Sequence, residues 1–216
     1  MRVSELARRA DVPLSAVKYY QREGLLPAGV RTAPNQVSYD ESHVQRVRLI
    51  RALLETGGLS VAATKEVIAA LDADDAPLAE AFHVAQHAMG ARRAQESEPS
   101  DGSRARIEAV AEQQGWCVAS DNPGVETAAR ALDGLRVIGF DAPDAYLGAY
   151  AEAAETAAAA DLRALSERGD RDAVAELMVV GTVLGDPLFA GQRRLAQQDA
   201  THDLFPTSDD EEGPQP

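Results

Sequence analysis

Short apolar helical stripes broken by tight turns organise the first seventy residues. Leu6 and Ala10 stand at i, i+4 and predict a short helix over the SELARRA segment. Asp11, Val12 and Pro13 read as a turn, and Pro13 is tolerated at a helix start because the donor it lacks would be unused there. A second helix is predicted from about Leu14 to Glu23. Its Val17 and Tyr20 face inward with Leu6 and Val12, and Gly24 occupies the left-handed position that ends it. The stretch LLPAGVRTAPNQVSYD predicts a small β-ribbon with a turn near Pro34-Asn35. Asp40 is the N-cap of a third helix with Val44, Val47, Leu49, Ile50, Leu53 and Leu54 on its apolar side and Gly57 as its stop. Ser60 caps a fourth helix, whose inner face is Val61, Val67, Ile68 and Leu71.

Beyond residue 71 the pattern is helical throughout. Asp72–Asp75 is an acidic break, and Pro77 opens a helix to about Arg93. Leu78, Phe82, Ala85 and Met89 follow the 4-3-4 spacing of a coiled-coil seam and predict a dimerisation helix. Glu98–Gly102 reads as a loop. Helices are then expected over about 104–114, 123–137, 143–168 and 171–184, with a further piece at 188–198 and Asp121, Asp141 and Asp170 as caps. The tail, 207–216, is acidic, lacks apolar anchors and is expected to be disordered. The fold class is mainly α: a winged helix-turn-helix with a small β wing over 1–71, a linking dimerisation helix and loop over 72–103, and an all-α C-terminal domain over 104–206.

Charge sharpens this division. The 216 residues carry a net charge of −14. Residues 1–71 hold ten Lys and Arg against seven Asp and Glu, a balance of +3, which leaves 11 basic and 28 acidic residues, −17, for the rest. Such an asymmetry orients the head, and not the body, toward a polyanion. The one cysteine, Cys117, forms no internal disulfide. The N-terminus has no apolar signal region, and no apolar run approaches a membrane span, so a cytoplasmic protein without a membrane partner is expected. Neither a phosphate-binding glycine loop nor a nucleophile–base pattern stands out, and neither catalysis nor a cofactor is expected.

On the second helix Ser15, Ala16, Lys18 and Tyr19 lie off the Val17–Tyr20 face. Small Ser15 and Ala16 permit close approach to a groove, Lys18 reaches phosphate or a guanine edge, and the Tyr19 hydroxyl suits a phosphate oxygen. Val17-Lys18-Tyr19-Tyr20, then Gly24-Leu25-Leu26-Pro27, Arg31, Tyr39-Asp40 and Leu49-Ile50-Arg51 resemble, in order and spacing, the DNA-binding domain of the MerR family of transcriptional regulators. The resemblance covers about residues 1–71. It implies DNA contacts from Lys18, Tyr19 and Tyr20, from the wing residues Arg31 and Tyr39, and from Arg51, with Arg48 on the same basic helix. Three departures stand out: Pro13 replaces the usual Ser cap, Val37 stands where the wing has an arginine, and Ala62-Ala63 replace common acidic residues. The resemblance further implies a homodimer on a palindromic promoter operator, distortion of that DNA, and RNA polymerase as an indirect partner.

The C-terminal half allows more than one reading. Trp116, Phe140, Tyr146, Tyr150 and Phe189 are spaced as core aromatics, or Trp116, Phe140, Tyr146 and Tyr150 line a pocket for a small-molecule effector with Glu152 and Glu155 near a cation. His83 and His87 stand at i, i+4, but no Cys or carboxylate joins them at ligand spacing, so the expectation is a solvated face and no metal. Cys117 beside Trp116 reads as a buried small hydrophobe, and one cysteine is too few for a metal sensor of the family. The leading expectation is an effector-responsive transcription factor. The alternatives are a constitutive or protein-regulated factor whose helical domain only dimerises or docks, and an enzyme with a fused DNA-binding head.

Overall fold

In the head the third and fourth helices start at side-chain caps and the second at a proline, whereas the first starts at Arg2 with neither. The computed structural model describes residues 1–33, 36–73, 78–91 and 98–204, without the side chains of 78, 79, 90, 91 and 202–204. The expected turn at Pro34-Asn35, the end of the acidic break, Pro77 as a helix start, the Leu78 side chain, the Arg93 end and the acidic tail lie outside the described residues. The head comprises α1 (Val3–Arg9), α2 (Leu14–Arg22), β1 (Val30–Ala33), β2 (Gln36–Ser38), α3 (Glu41–Arg51) with a π-turn continuing it over Ala52–Thr56, and α4 (Val61–Leu71). Then follow α5 (Leu78–Ala91), α6 (Asp101–Gln113), α7 (Pro123–Val137), α8 (Asp144–Ser166) and α9 (Arg171–Leu204).

Asp40 caps α3 in a reciprocal box with His43: its carboxylate accepts from the His43 amide while the His43 ring takes the Asp40 amide. The Ser42 hydroxyl and then His43 hold the Asp40 carboxyl well below the usual range. Ser60 caps α4 as expected, whereas α2 starts at Pro13 with no side-chain cap. Gly24 ends α2 at φ +72°, and Gly58 rather than Gly57 takes the left-handed position after the π-turn. Leu6, Val17, Val44, Val47, Ile50 and Leu53 form the fully buried centre of the head. Each contributes roughly 1.5–3 kcal/mol by burial.

That core does not stop at residue 71. Ala81, Ala85 and Ala88 of α5 and Val179 and Val183 of α9 belong to it. The expected dimer stripe is therefore split. Ala85 is fully buried within the chain, Met89 packs partly against the same core, and Phe82 faces outward, 38% exposed. The cause is the alanine spacing, which lets α5 lie close against α4 and α9 and spends that face internally.

The outer helices depart from expectation in several places. Ser100 caps α6, which begins at Asp101 inside the expected loop. Asn122, not Asp121, caps α7; Asp141 pairs with Arg106 while α8 follows Pro143; and Asp170 does cap α9. The two pieces expected at 171–184 and 188–198 are one helix, which runs through Pro187. Proline there costs one helical hydrogen bond, and the apolar residues on either side continue one helical surface. As a result α9 contains an 18-residue stretch long and apolar enough to cross a membrane by length and composition, contrary to the expectation that no apolar run approaches a span, and little of it is buried. In α6, α7 and α8 and the connection between the last two, Ser103, Ala129, Leu132, Ala142 and Ala151 are buried, and the aromatics are not. Polar ties join these helices: Arg104 donates to both Glu126 oxygens at 2.6 and 3.2 Å, and Asp133 accepts from the Ser100 amide and from the Ser100 and Ser103 hydroxyls at 2.6–2.7 Å.

Candidate nucleic-acid interface

The turn between α1 and α2 sets the angle of the candidate recognition helix. Asp11 takes φ +56°, a left-handed position that a short polar side chain tolerates. The Val12 amide donates to the Ala7 carbonyl at 3.0 Å. Val17 and Tyr20 then anchor α2, at 0% and 4% exposure. On the opposite side Ser15 and Lys18 are exposed, and Ala16 and Tyr19 are half-buried. Among the described residues Lys18 forms no ion pair. Arg22 lies over the Tyr19 ring, 5.3 Å from its centroid, so the two form one cationic-aromatic corner beside Lys18.

The ribbon follows α2 in the chain. β1 and β2 pair antiparallel with Arg31 opposite Val37 and a register shift between Arg31 and Ala33. Gly29 precedes it because any Cβ would meet the Ser38 carbonyl oxygen at 2.6 Å. Arg31 is exposed and, among the described residues, without an ion pair. Arg31 on the ribbon and Lys18 on α2 are thus exposed cations without an ion pair among the described residues.

Four of the residues expected to touch DNA are engaged within the chain. Tyr20 is a core residue, and burial pushes its phenol above the ordinary range. Tyr39 is 8% exposed; its hydroxyl accepts from Gln21 Nε2 at 2.8 Å and its ring meets His43 edge-on at 5.2 Å. Arg48 donates to the Arg9 carbonyl at 2.9 Å. Arg51 donates to the Asp11 carbonyl and to Glu55, both at 2.9 Å. These two arginines tie α3 to the end of α1 and to the turn, satisfying carbonyls that a helix end leaves open. The tie was not visible in sequence, because the partners are backbone atoms some forty positions away. The sequence reading also missed Gln21 as the partner of Tyr39, and nothing in local spacing marks it.

The expected effector residues separate. Phe140, Tyr146 and Tyr150 stack at 5.4 and 4.8 Å, with Arg193 donating to the Tyr150 hydroxyl at 3.1 Å, but Phe140 and Tyr150 are about 40% exposed. They form a surface stack, neither a core nor a pocket, and Trp116 is not among these ring contacts. Cys117 is exposed, not buried as its apolar neighbour suggested. A cavity of about 650 Å³ lies elsewhere, between the end of the π-turn and the connection before α4 on one side and α5, α7 and α9 on the other, lined by Thr56, Leu59, Gln86, Met89, Thr127 and Val183 among others. Beside it the fold brings Asp121 to His83 and His87, the carboxylate that linear spacing did not offer.

Two helices across a left-handed turn, a β-ribbon and a third helix bonded back to the turn define a winged helix-turn-helix fold. The family model described as "MerR HTH family regulatory protein" matches residues 1–71. Over 56 residues, 26% of this chain and 26% of the relative, the sequence is 43% identical to nodulation protein NolA of Bradyrhizobium elkanii. Over 50 residues, 23% of this chain and 37% of the relative, it is 34% identical to the HTH-type transcriptional regulator ZntR homolog of Haemophilus influenzae. The matched segments thus span about a quarter to a third of these curated relatives. A crystal structure of a candidate transcriptional regulator, SCO5550 of Streptomyces coelicolor A3(2), superposes over 96% of this chain and 99% of that one, with a TM-score of 0.72 and 28% identity. Residues 1–71 of this chain are thus similar to the helix-turn-helix domain of MerR-type transcriptional regulators.

Proposed function

We propose that the chain acts as a cytoplasmic homodimer that binds a palindromic promoter operator through the Ser15–Tyr19 face of α2 and the Arg31 ribbon. It distorts the DNA so that RNA polymerase can engage the promoter. The observation that carries this reading is the two-sided α2: Val17 and Tyr20 lock one side while Lys18 stands exposed on the other, without an ion partner among the described residues. Dimerisation is assigned to the outer side of α5, around Phe82, with contacts added by later helices, since Ala85 is committed within the chain. A small-molecule effector is assigned to the cavity between head and outer helices, because its walls come from both. A ligand there shifts the head only to the extent that it binds one arrangement more tightly than another. No catalytic role is proposed.

The alternative, a constitutive or protein-regulated factor, draws on Leu162, Leu188 and Leu195, which are 63–69% exposed on α8 and α9 and suit an apolar partner. Operator titration with the Lys18→Ala variant tests the DNA reading. A base-reading lysine costs on the order of 1–3 kcal/mol and relaxes specificity at one position; a phosphate contact costs less, equally across sequences. Unchanged affinity removes α2 as the interface. Straight DNA at full occupancy in a bending assay leaves steric repression in place of distortion.

A further inference from the structure

His83 and His87 project from successive turns of α5 with ring centroids 4.2 Å apart. Asp121, from the connection before α7, brings its Oδ2 to 3.9 Å from His83 Nε2 and 3.8 Å from His87 Nε2. One donor atom from each residue falls in a group whose members all lie within 4.8 Å of one another. These gaps are too wide for hydrogen bonds. His87 Nε2 is shut off from solvent and has no hydrogen-bond partner, although the side chain as a whole is 41% exposed. An ordinary histidine–aspartate pair would close to contact and satisfy that nitrogen.

A cation resolves the geometry. Zinc at roughly 2.0–2.2 Å from each nitrogen and oxygen places its tetrahedral ligands about 3.4 Å apart, so the histidine–aspartate gaps need to shrink by only about half an ångström. We propose that His83, His87 and Asp121 form a divalent-cation site of the zinc class, with two imidazoles and one carboxylate as ligands and the remaining position open to water or to a ligand. The chemistry is nitrogen and oxygen only and needs no thiolate, so the single cysteine does not argue against it. A bound cation staples α5 to the start of α7. Gln86 and Asn122, the chain neighbours of His87 and Asp121, meet at 3.4 Å and line the cavity, so the cation stiffens one of its walls.

The test is a zinc titration of the full chain, stripped of metal, against a competing chelating dye. One site per chain is expected, and either Asp121→Asn or the pair His83→Ala with His87→Ala weakens it by more than about 10-fold. Cys117→Ser leaves it unchanged, and the cobalt-substituted protein shows no thiolate charge-transfer band. Zinc raises the melting temperature of the wild type but not of Asp121→Asn, a change in an exposed connection that keeps the helices intact. Equal zinc affinity in wild type and both variants, loss of binding in Cys117→Ser, or a thiolate band overturns the proposal.

Discussion

Replacing Gly57 by alanine probes the seam where α9 meets the head. Gly57 has φ −72°, so alanine meets no backbone penalty there. A less flexible residue alone stabilises by about 0.4–1 kcal/mol through the unfolded chain. The new Cβ, however, lies 2.2 Å from Val183 Cγ1 and 2.9 Å from the Leu53 carbonyl oxygen. Carbon atoms rest at about 3.5–4.0 Å, so Val183 must retreat by well over an ångström in a fully buried position. Overpacking of this kind costs about 1–3 kcal/mol and outweighs the entropic gain. At about 2–4 °C per kcal/mol for a chain of this size, the melting temperature falls by several degrees. Val183→Ala alone removes two buried methyl groups and costs about 2 kcal/mol. In the double variant the freed space accepts the new methyl, though the Leu53 contact remains. The pair is therefore less destabilised than the sum of the singles by at least about 1 kcal/mol. Urea unfolding of all four proteins by circular dichroism measures the cycle. Additivity within about 0.5 kcal/mol would show that α9 does not seat on Gly57, and would remove the cavity as a link between head and outer helices.

Two further outcomes follow from the polar ties. Tyr39→Phe deletes the bond from Gln21 and lowers stability by about 0.5–1.5 kcal/mol in a thermal melt, so any loss of operator affinity tracks unfolding; a large affinity loss at unchanged melting would return Tyr39 to the DNA surface. Asp133 is pulled down to about 2, first by the Ser100 amide and then by the Ser103 and Ser100 hydroxyls, from an ordinary 3.8. The stability it contributes is complete above 3.8 and is lost as pH falls through about 2, so in acid unfolding the wild type and Asp133→Asn should differ near neutrality and converge toward pH 2. Parallel curves across that window would contradict the assignment.

Local physics made the head legible. The positions of Leu6, Val17, Val44, Val47 and Ile50 encode helix faces at a 3.6 period, and Asp40, Ser60 and Gly24 mark ends through bonds and dihedral angles within a few residues. Those signals are short-ranged, so they survive reading without a structure. The exposure of Lys18 was visible for the same reason, since it follows from which neighbours on α2 are apolar, whereas Arg31 was singled out by the resemblance of the wing.

Long-range placement was not legible. Arg48 and Arg51 were expected at DNA, and only the fold set backbone carbonyls before them; the inward side of Tyr20 was legible from spacing, but the enclosure of Tyr39 was not. The α5 stripe showed the right periodicity for a seam, but periodicity names a buried face and not what buries it; here α4 and α9 of the same chain take much of it. Asp121 joins His83 and His87 only because α7 starts beside α5. The sequence by itself determined the helices, the wing and the family of the first 71 residues, because periodicity and capping act over a turn or two. Only the tertiary structure decided which charges stay free, which aromatics are enclosed and which distant groups meet, because those depend on contacts between segments that no local pattern encodes.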